Sequence, residues 1–313
     1  MFKIPVIVVV GPTASGKTGL AIDIAKNYNG EVVSADSMQI YKHMNIGTAK
    51  PTIEEMDGVI HHLIDFVDPN CSFSVADYVE IAHRTIEDIH SRGKTPIVAG
   101  GTGLYVSSLM NNIQFNKTQS DDTIRNQLYL YAEQNGAEAL HALLLQIDPE
   151  TAMSVHANNI PRVVRAIEIY KLTGMTMSEH QKKSREVPSK YNELKIGLNY
   201  KDRQVLYQRI NLRVDLMMKA GLLDEAKTIL SSDYASTAMQ AIGYKELSPY
   251  INGDISLDNA IDNLKQETRR YAKRQLTWFR RDEKINWFYP DEYKNIQIMQ
   301  KNIHNCIDNF FNI

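Results

Sequence analysis

The apolar positions of this chain change period along its length. Ile4 to Val10 is a β-branched run interrupted only by Pro5, which predicts a strand buried on both faces of a parallel sheet. Residues 17–26 then put Leu20, Ala21, Ile24 and Ala25 on one helical stripe. Further strand-like runs lie at 31–35 and 95–99, separated by a helical pattern over 77–91. This alternation predicts an α/β core, a parallel sheet flanked by helices. Ligands of such sheets lie beyond the carboxyl ends of the strands. The loops opening at Gly11, Asp36 and Gly100 are therefore expected to share one site.

After about residue 116 the texture changes. Residues 121–183 carry helical patterns and almost no strand signal, with helices expected at Asp122–Asn135, at 137–146 and from Pro161 to about Thr173. Residues 195–198 read as a returning strand. A helical segment over 204–230 is expected to break near Gly221, and the amphipathic stretch 295–311 to pack on the core. The expected organisation is a core of residues 1–114 and 195–313, P-loop NTPase-like by its first loop (below), with an all-helical insertion at 115–194. No repeat or low-complexity tract is visible.

Composition narrows the class. The 313 residues are 43% hydrophobic and 23% charged, an ordinary globular balance. No run approaches the ~18 apolar residues of a membrane span, so no membrane association is expected. The apolar N-terminus is short for a signal peptide and runs straight into a glycine loop. The only cysteines are Cys71 and Cys306, which argues against a disulfide scaffold or cysteine zinc site and suits a reduced, cytoplasmic enzyme. A monomer is expected. The net charge of −2 implies no global attraction to nucleic acid. Locally, however, residues 268–281 hold Arg269, Arg270, Lys273, Arg274, Arg280 and Arg281 with no acid among them, and such a stripe can bind phosphates.

The richest stretch is Gly11-Pro12-Thr13-Ala14-Ser15-Gly16-Lys17-Thr18. It fits G-x-x-x-x-G-K-[ST] between a strand and a helix, the context of a phosphate cradle. Its backbone N–H groups and helix dipole favour an anion. Lys17 can reach a terminal phosphate, and the Thr18 hydroxyl can hold Mg²⁺. The motif implies a di- or triphosphate, ATP being one candidate nucleotide among others. Asp36, after the second strand, reads equally as a base or Mg²⁺ ligand and as a helix N-cap. Gly100-Gly101-Thr102-Gly103 allows close backbone approach and offers a hydroxyl, or is simply a tight turn. No acid ends that third strand, which disfavours ordinary nucleotide hydrolysis. Adjacent His61 and His62 point to opposite faces of an extended segment and suit a metal poorly. Arg162 with Arg165, and Arg209 with Arg213, share helical faces and either bind phosphate or are simply solvated; Lys182, Lys183 and Arg185 form another local basic cluster in the sequence. Tyr271, Trp278 and Phe279 among the stripe arginines can stack on splayed bases, or face a core while the arginines face solvent.

In order along the chain stand Gly-Pro-Thr-Ala-Ser-Gly-Lys-Thr from Gly11, Asp-Ser-Met-Gln-Ile-Tyr from Asp36, His-His-Leu-Ile-Asp from His61 and Gly-Gly-Thr-Gly-Leu-Tyr from Gly100. Arg-Ala-Ile-Glu from Arg165, Gln-Ala-Ile-Gly-Tyr-Lys-Glu from Gln240 and Lys-Arg-Gln-Leu-Thr-Trp-Phe-Arg from Lys273 follow. The set closely resembles the tRNA isopentenyltransferase, or tRNA dimethylallyltransferase, family over nearly the whole chain. The resemblance implies transfer of a dimethylallyl group from dimethylallyl diphosphate to the exocyclic amine of the adenosine 3′ of the tRNA anticodon, with Mg²⁺. It implies that the P-loop holds the donor's diphosphate rather than ATP. It makes Asp36 the general base and Arg213 a diphosphate contact beside Lys17 and Thr18. Ser37, Met38, Gln39, Thr102 and Arg125 match positions around the flipped base. Asn159, Arg162, Arg165, Gln240, Gly243, Lys245, Lys273, Arg274, Trp278 and Arg280 fall in segments that touch the tRNA anticodon arm. A small-molecule kinase, a prenyltransferase of free adenine nucleotides and a non-catalytic RNA-binding protein are the competing classes.

Overall fold

A computed structural model describes residues 3–115, 121–232, 234, 236–239 and 241–313. The chain begins with β1 (Ile4–Val10), α1 (Lys17–Asn27), β2 (Gly30–Ser34), α2 (Ile53–Met56), β3 (His61–His62), α3 (Val75–Ser91), β4 (Thr95–Gly100) and α4 (Gly103–Met110). Helices α5 (Asp122–Asn135), α6 (Ala137–Ile147), α7 (Pro149–Ser154), α8 (Ile160–Thr173) and α9 (Met177–Ser184) follow. The chain then forms β5 (Tyr191–Leu198), α10 (Arg203–Lys219), α11 (Leu222–Leu230), α12 (Ser236–Met239), α13 (Tyr244–Ile251), α14 (Leu257–Phe279), β6 (Ile285–Phe288) and α15 (Ile296–Phe311). Contacts divide it into two compact units, Met1–Met110 with Lys190–Ile313, and Asn111–Ser189. The sequence patterns put the corresponding boundaries at 114/115 and 194/195.

In the first unit the described strands form one parallel sheet in the order β3-β2-β4-β1-β5-β6. The β-branched run of β1 occupies the interior, with Ile7 opposite Ile97 of β4 and Val9 opposite Ile196 of β5. Helices α1 and α15 cover one face. Leu20, Ala21, Ile24 and Ala25 meet Met299, Ile303 and Ile307 over the apolar side chains of β1, β2, β4 and β5. The connections from β1 lead to β2, β3 and β4 on one side, and β5 and β6 lie on the other. The loop after β1 thus opens at the point where the winding reverses, which is where such sheets bind ligands.

Several local signals read as expected, among them the break between α10 and α11 at Gly221, which adopts φ 101°. Others were hidden. β5 starts at Tyr191 rather than near 195, because Asn192, Glu193 and Lys195 interrupt its apolar pattern. Lys195 is buried yet paired with Glu193 at 2.9 Å and Asp282 at 2.7 Å. The four-residue β6 is a strand only because it pairs with β5. Helix α9 buries none of its residues and rests on a capping box between Thr176 and Glu179.

The helical unit has its own core of Leu128, Ala132, Leu140, Leu144, Val163, Val164 and Ile167. Two buried carboxylates pin its corners. Asp148 accepts Thr151 N at 3.0 Å and Ser178 N at 3.0 Å, tying the start of α7 to α9. Glu168 accepts Arg125 Nε at 2.9 Å, Arg165 Nη1 at 2.7 Å and Asp121 N at 2.9 Å. Burial alone would raise the Glu168 pKa, but these donors outweigh it and hold the carboxyl below its ordinary value.

A third buried carboxylate, Glu31, lies at the amino end of β2, away from the loops that follow the strands. Arg92 grips it through two bonds of 2.6 Å, with His62 at 2.7 Å and Lys94 at 2.8 Å. His62 is therefore spent on a structural hydrogen bond to Glu31, and His61 bonds the Val59 carbonyl at 2.9 Å. Arg92 foremost holds the Glu31 carboxyl far below the ordinary carboxylate range. A depressed pKa adds stability above the unfolded value and loses it as pH falls through the folded one. Glu31→Gln is expected to lower stability by about 1–3 kcal/mol near neutrality. The gap to the unmodified protein should close as pH drops below the ordinary 4.5, as read from urea midpoints along a pH series.

Candidate active site

The loop after β1 is shaped by one close approach. A Cβ on Gly11 would lie 2.2 Å from the Leu198 carbonyl oxygen, and its φ of 149° is one that side-chain-bearing residues rarely adopt. Gly16 at φ 97° then caps α1 without a side chain, so its first N–H groups stay open. Ser15 N donates to Pro12 O at 3.3 Å, and Lys17 Nζ donates to the same oxygen at 2.6 Å. The Ser15 hydroxyl is buried with no hydrogen-bond partner. Arg209 of α10 braces the loop through Ala14 O at 3.0 Å, its guanidinium 5.3 Å from the Tyr200 ring centre.

The electrostatics mark this loop as an anion site. Burial lowers the Lys17 pKa from 10.5 to about 7; repulsion from Arg213 adds to the shift and Asp36 opposes it. Burial also lowers the Arg213 pKa, against the pull of Asp36 and Glu55. Two cations are thus desolvated with Asp36 as their shared acid and Glu55 acting on Arg213 alone, an arrangement that a bound polyanion would stabilise. Thr18 is exposed at the head of α1.

Asp36 lies at the carboxyl end of β2. Its Oδ1 accepts Met38 N at 2.9 Å and Gln39 N at 3.4 Å, so it caps the turn at 37–40 as well as facing Lys17 and Arg213. Ser37 N donates to Thr102 Oγ1 at 3.0 Å, and Thr102 Oγ1 reaches Ser37 Oγ at 3.3 Å. Thr102 N donates to Ala35 O at 3.1 Å. The Gln39 amide donates to Thr48 O at 3.2 Å and Ala49 O at 3.0 Å, and Met38 packs beside Ile40 and Tyr41. The three loops expected to share one site are therefore adjacent.

Helix α14 closes this group from the side. Ala272, Gln275 and Phe279 are buried, while Lys273, Arg274 and Arg280 are exposed. Gln275 Oε1 accepts Thr13 N at 2.8 Å, and its Nε2 donates to Gly101 O at 2.9 Å. Tyr271 lies beside them, and burial raises its pKa. The Trp278 ring packs where a Cβ on Gly103 would be, at 2.2 Å. The aromatics of the stripe therefore face inward, and Arg270, Lys273, Arg274, Arg280 and Arg281 face out, while Arg269 is half-buried and donates to Asn211 Oδ1 at 2.6 Å.

The remaining sequence-derived residues fall into two groups. Near α13, Gly243 N donates to Glu246 Oε2 at 2.8 Å and Lys245 is exposed; Gln240 lies outside the described residues. In the helical unit Arg125 and Arg165 share Glu168, Arg162 is exposed, and Asn159 precedes α8 without capping it. Gln275 was not singled out as a site residue by sequence, and Arg209 was noted only for sharing a helical face with Arg213. A usable signal existed for Gln275: an amide at a position that the spacing of Ala272 and Phe279 assigns to the apolar stripe.

Comparison with known proteins identifies the family. The family model described as IPP transferase matches residues 39–282. The tRNA dimethylallyltransferase of Caldanaerobacter subterraneus subsp. tengcongensis is 49% identical over 304 residues, covering 96% of both chains. That of Bacillus subtilis is 48% identical over 302 residues, again with 96% of each chain covered. The crystal structure of a tRNA isopentenylpyrophosphate transferase from Bacillus halodurans superposes with TM-score 0.74 at 46% identity, covering 98% of this chain and 97% of that one. A eukaryotic dimethylallyltransferase acting on tRNA gives TM-score 0.82 at 31% identity, covering 99% and 80%. A P-loop core with this sheet order, and relatives this similar over nearly the full length, make the chain a member of the tRNA dimethylallyltransferase (IPP transferase) family.

Proposed function

We propose that this protein transfers a dimethylallyl group from dimethylallyl diphosphate to the N6 amine of the adenosine 3′-adjacent to the tRNA anticodon, releasing diphosphate. The observation that carries the reading is the electrostatic grouping of one carboxylate, Asp36, with the desolvated cations Lys17 and Arg213 at the carboxyl ends of β1 and β2. A prenyl diphosphate supplies the anion that the two cations lack, and an amine nucleophile supplies the proton that the carboxylate accepts.

The diphosphate lies on the Gly11–Thr18 loop, held by loop N–H groups, Lys17 and Arg213. The adenine N6 lone pair forms a bond to the primary allylic carbon. The carbon–oxygen bond to the diphosphate breaks, and its electron pair leaves with the phosphate oxygen. The amine is far too weak an acid to ionise beforehand, so its proton passes to Asp36 as the carbon–nitrogen bond forms. Asp36 Oδ1 is engaged by Met38 and Gln39 N–H groups, which leaves Oδ2 to receive the proton. The residues also suit Mg²⁺. Thr18 offers a hard hydroxyl oxygen, and among the described residues no cluster of three His, Cys, Asp or Glu side chains could hold a metal alone. Thr18 would help to hold the ion, which would supply charge neutralisation for the departing diphosphate.

The target base must leave the anticodon stack. Ser37, Met38, Gln39 and Thr102 surround it, and Arg125 of the helical unit is a separate candidate contact of the tRNA. Exposed Arg162, Lys245, Lys273, Arg274 and Arg280, with Arg165, Trp278, Gly243, Gln240 and Asn159 in the same segments, contact the anticodon arm. All these groups belong to one chain, which suits a monomer, and a tRNA substrate suits the cytoplasm. No described helix is long and apolar enough to cross a membrane.

The direct test offers labelled dimethylallyl diphosphate with Mg²⁺ to tRNA bearing adenosine 3′ of the anticodon, and in parallel to AMP and ATP. Label is expected in tRNA alone; label only in the nucleotides would replace the reading with a free-nucleotide prenyltransferase. Asp36→Asn keeps the Oδ1 acceptor that caps the turn but removes the base. It should lower kcat about 10²–10⁴-fold while tRNA binding by filter retention changes little.

Lys17→Met should abolish transfer and yet raise the melting temperature of the ligand-free protein, because it removes a desolvated cation. The same shift fixes a pH dependence. Between about 7 and 10.5 the unfolded chain binds more protons at Lys17 than the folded one does, so ligand-free stability rises with pH there. Calorimetric melts at pH 7.5 and 9 should show that rise in the unmodified protein and less of it in Lys17→Met.

A further inference from the structure

Helix α14 reaches both sides of the candidate site through one amide. Gln275 is 5% exposed and uses opposite ends of its side chain on two different loops. Oε1 takes the Thr13 N–H of the P-loop at 2.8 Å, and Nε2 gives a hydrogen to the Gly101 carbonyl at 2.9 Å. The polarity is fixed, because only the carbonyl end can accept and only the amide end can donate. From Gly101 the connection continues to Thr102, whose hydroxyl holds Ser37 N at 3.0 Å beside Asp36. Tyr271 stands one helical turn before Gln275 on the same helix. Gly101 is matched to this role, since a Cβ there would lie 2.2 Å from Gln275 Nε2.

We propose that Gln275 is a positioning residue that sets the register between the diphosphate-holding loop and the loop supporting the base, and so controls the rate of transfer rather than the binding of either substrate. This rests on the function proposed above. Gln275 itself is engaged with Thr13 and Gly101 and touches no reacting atom. Its effect is geometric: a displacement of about 1 Å between reacting groups costs on the order of 100-fold in rate.

Gln275→Leu keeps the volume and removes both bonds. It should lower kcat about 10- to 100-fold, with the dissociation constants for tRNA and for dimethylallyl diphosphate changed less than about threefold. Gln275→Glu supplies a more specific signature. A protonated carboxyl has the same donor-and-acceptor pattern as the amide, whereas the ionised form turns a negative oxygen on the Gly101 carbonyl. Activity of this variant relative to the unmodified enzyme should therefore recover as pH falls, while the ratio for Gln275→Leu stays flat. Gly101→Ala should phenocopy Gln275→Leu by displacing the amide, and the double variant should lose no more than the worse single one. The proposal is overturned by an unchanged kcat, by a loss matched in the tRNA dissociation constant, or by additive losses in the double variant. If Gln275→Leu does not fold, the pH-dependent recovery of Gln275→Glu decides alone. Failure of the function itself is distinct: the unmodified protein would then transfer no label to tRNA.

Discussion

The structure depends on how closely the loops after β1, β2 and β4 can approach one another at the carboxyl end of the sheet. That approach is a steric matter before it is a chemical one. Gly11 sits against the Leu198 carbonyl and Gly100 against Ala35, each where a Cβ would come within 2.2 Å of backbone oxygen. Parallel strands a few ångströms apart deliver the loops, and glycines let the backbones meet. A cradle of N–H groups and a carboxylate can then occupy one small volume although they are separated widely in sequence.

Bringing charge into that volume has a cost that the fold carries openly. Lys17 and Arg213 are desolvated together, with Asp36 as the main opposing charge. Elsewhere the protein treats buried charge differently. Glu31, Glu168 and Lys195 are each surrounded by several partners of opposite sign or by hydrogen-bond donors. The contrast separates charges that hold the fold together from charges left for a ligand to complete.

Helix α14 shows how one element serves two purposes through its periodicity. Its inward residues Ala272, Gln275 and Phe279 stitch loops and core together, and its outward Lys273 and Arg274 remain open to solvent. Of the two sequence readings of the basic stripe, an aromatic-and-arginine platform or an amphipathic core helix, the inward aromatics fit the second. The aromatics turned inward because Trp278 fills the space above Gly103, while the cations kept the exposed face that phosphate contact requires.

The sequence by itself determined the parts whose information is local. The strand β1, the phosphate loop and the break at Gly221 follow from runs, spacings and a glycine, and the ordered motifs identified the family. Local patterns failed where a residue's state is set by a distant partner. β6 exists because β5 offers an edge, β5 tolerates Lys195 because Glu193 and Asp282 flank it, and α9 buries nothing that would create a pattern. At the site, Asp36 reads from sequence equally as a base or Mg²⁺ ligand and as a helix N-cap; the folded chain gives its Oδ1 to the turn at 37–40 and sets the carboxylate against the charges of Lys17 and Arg213. Sequence could not distinguish a glutamine on a helix surface from one buried between two loops. That distinction belongs to tertiary structure, because the hydrogen bonds that define Gln275 cross 262 and 174 residues of chain.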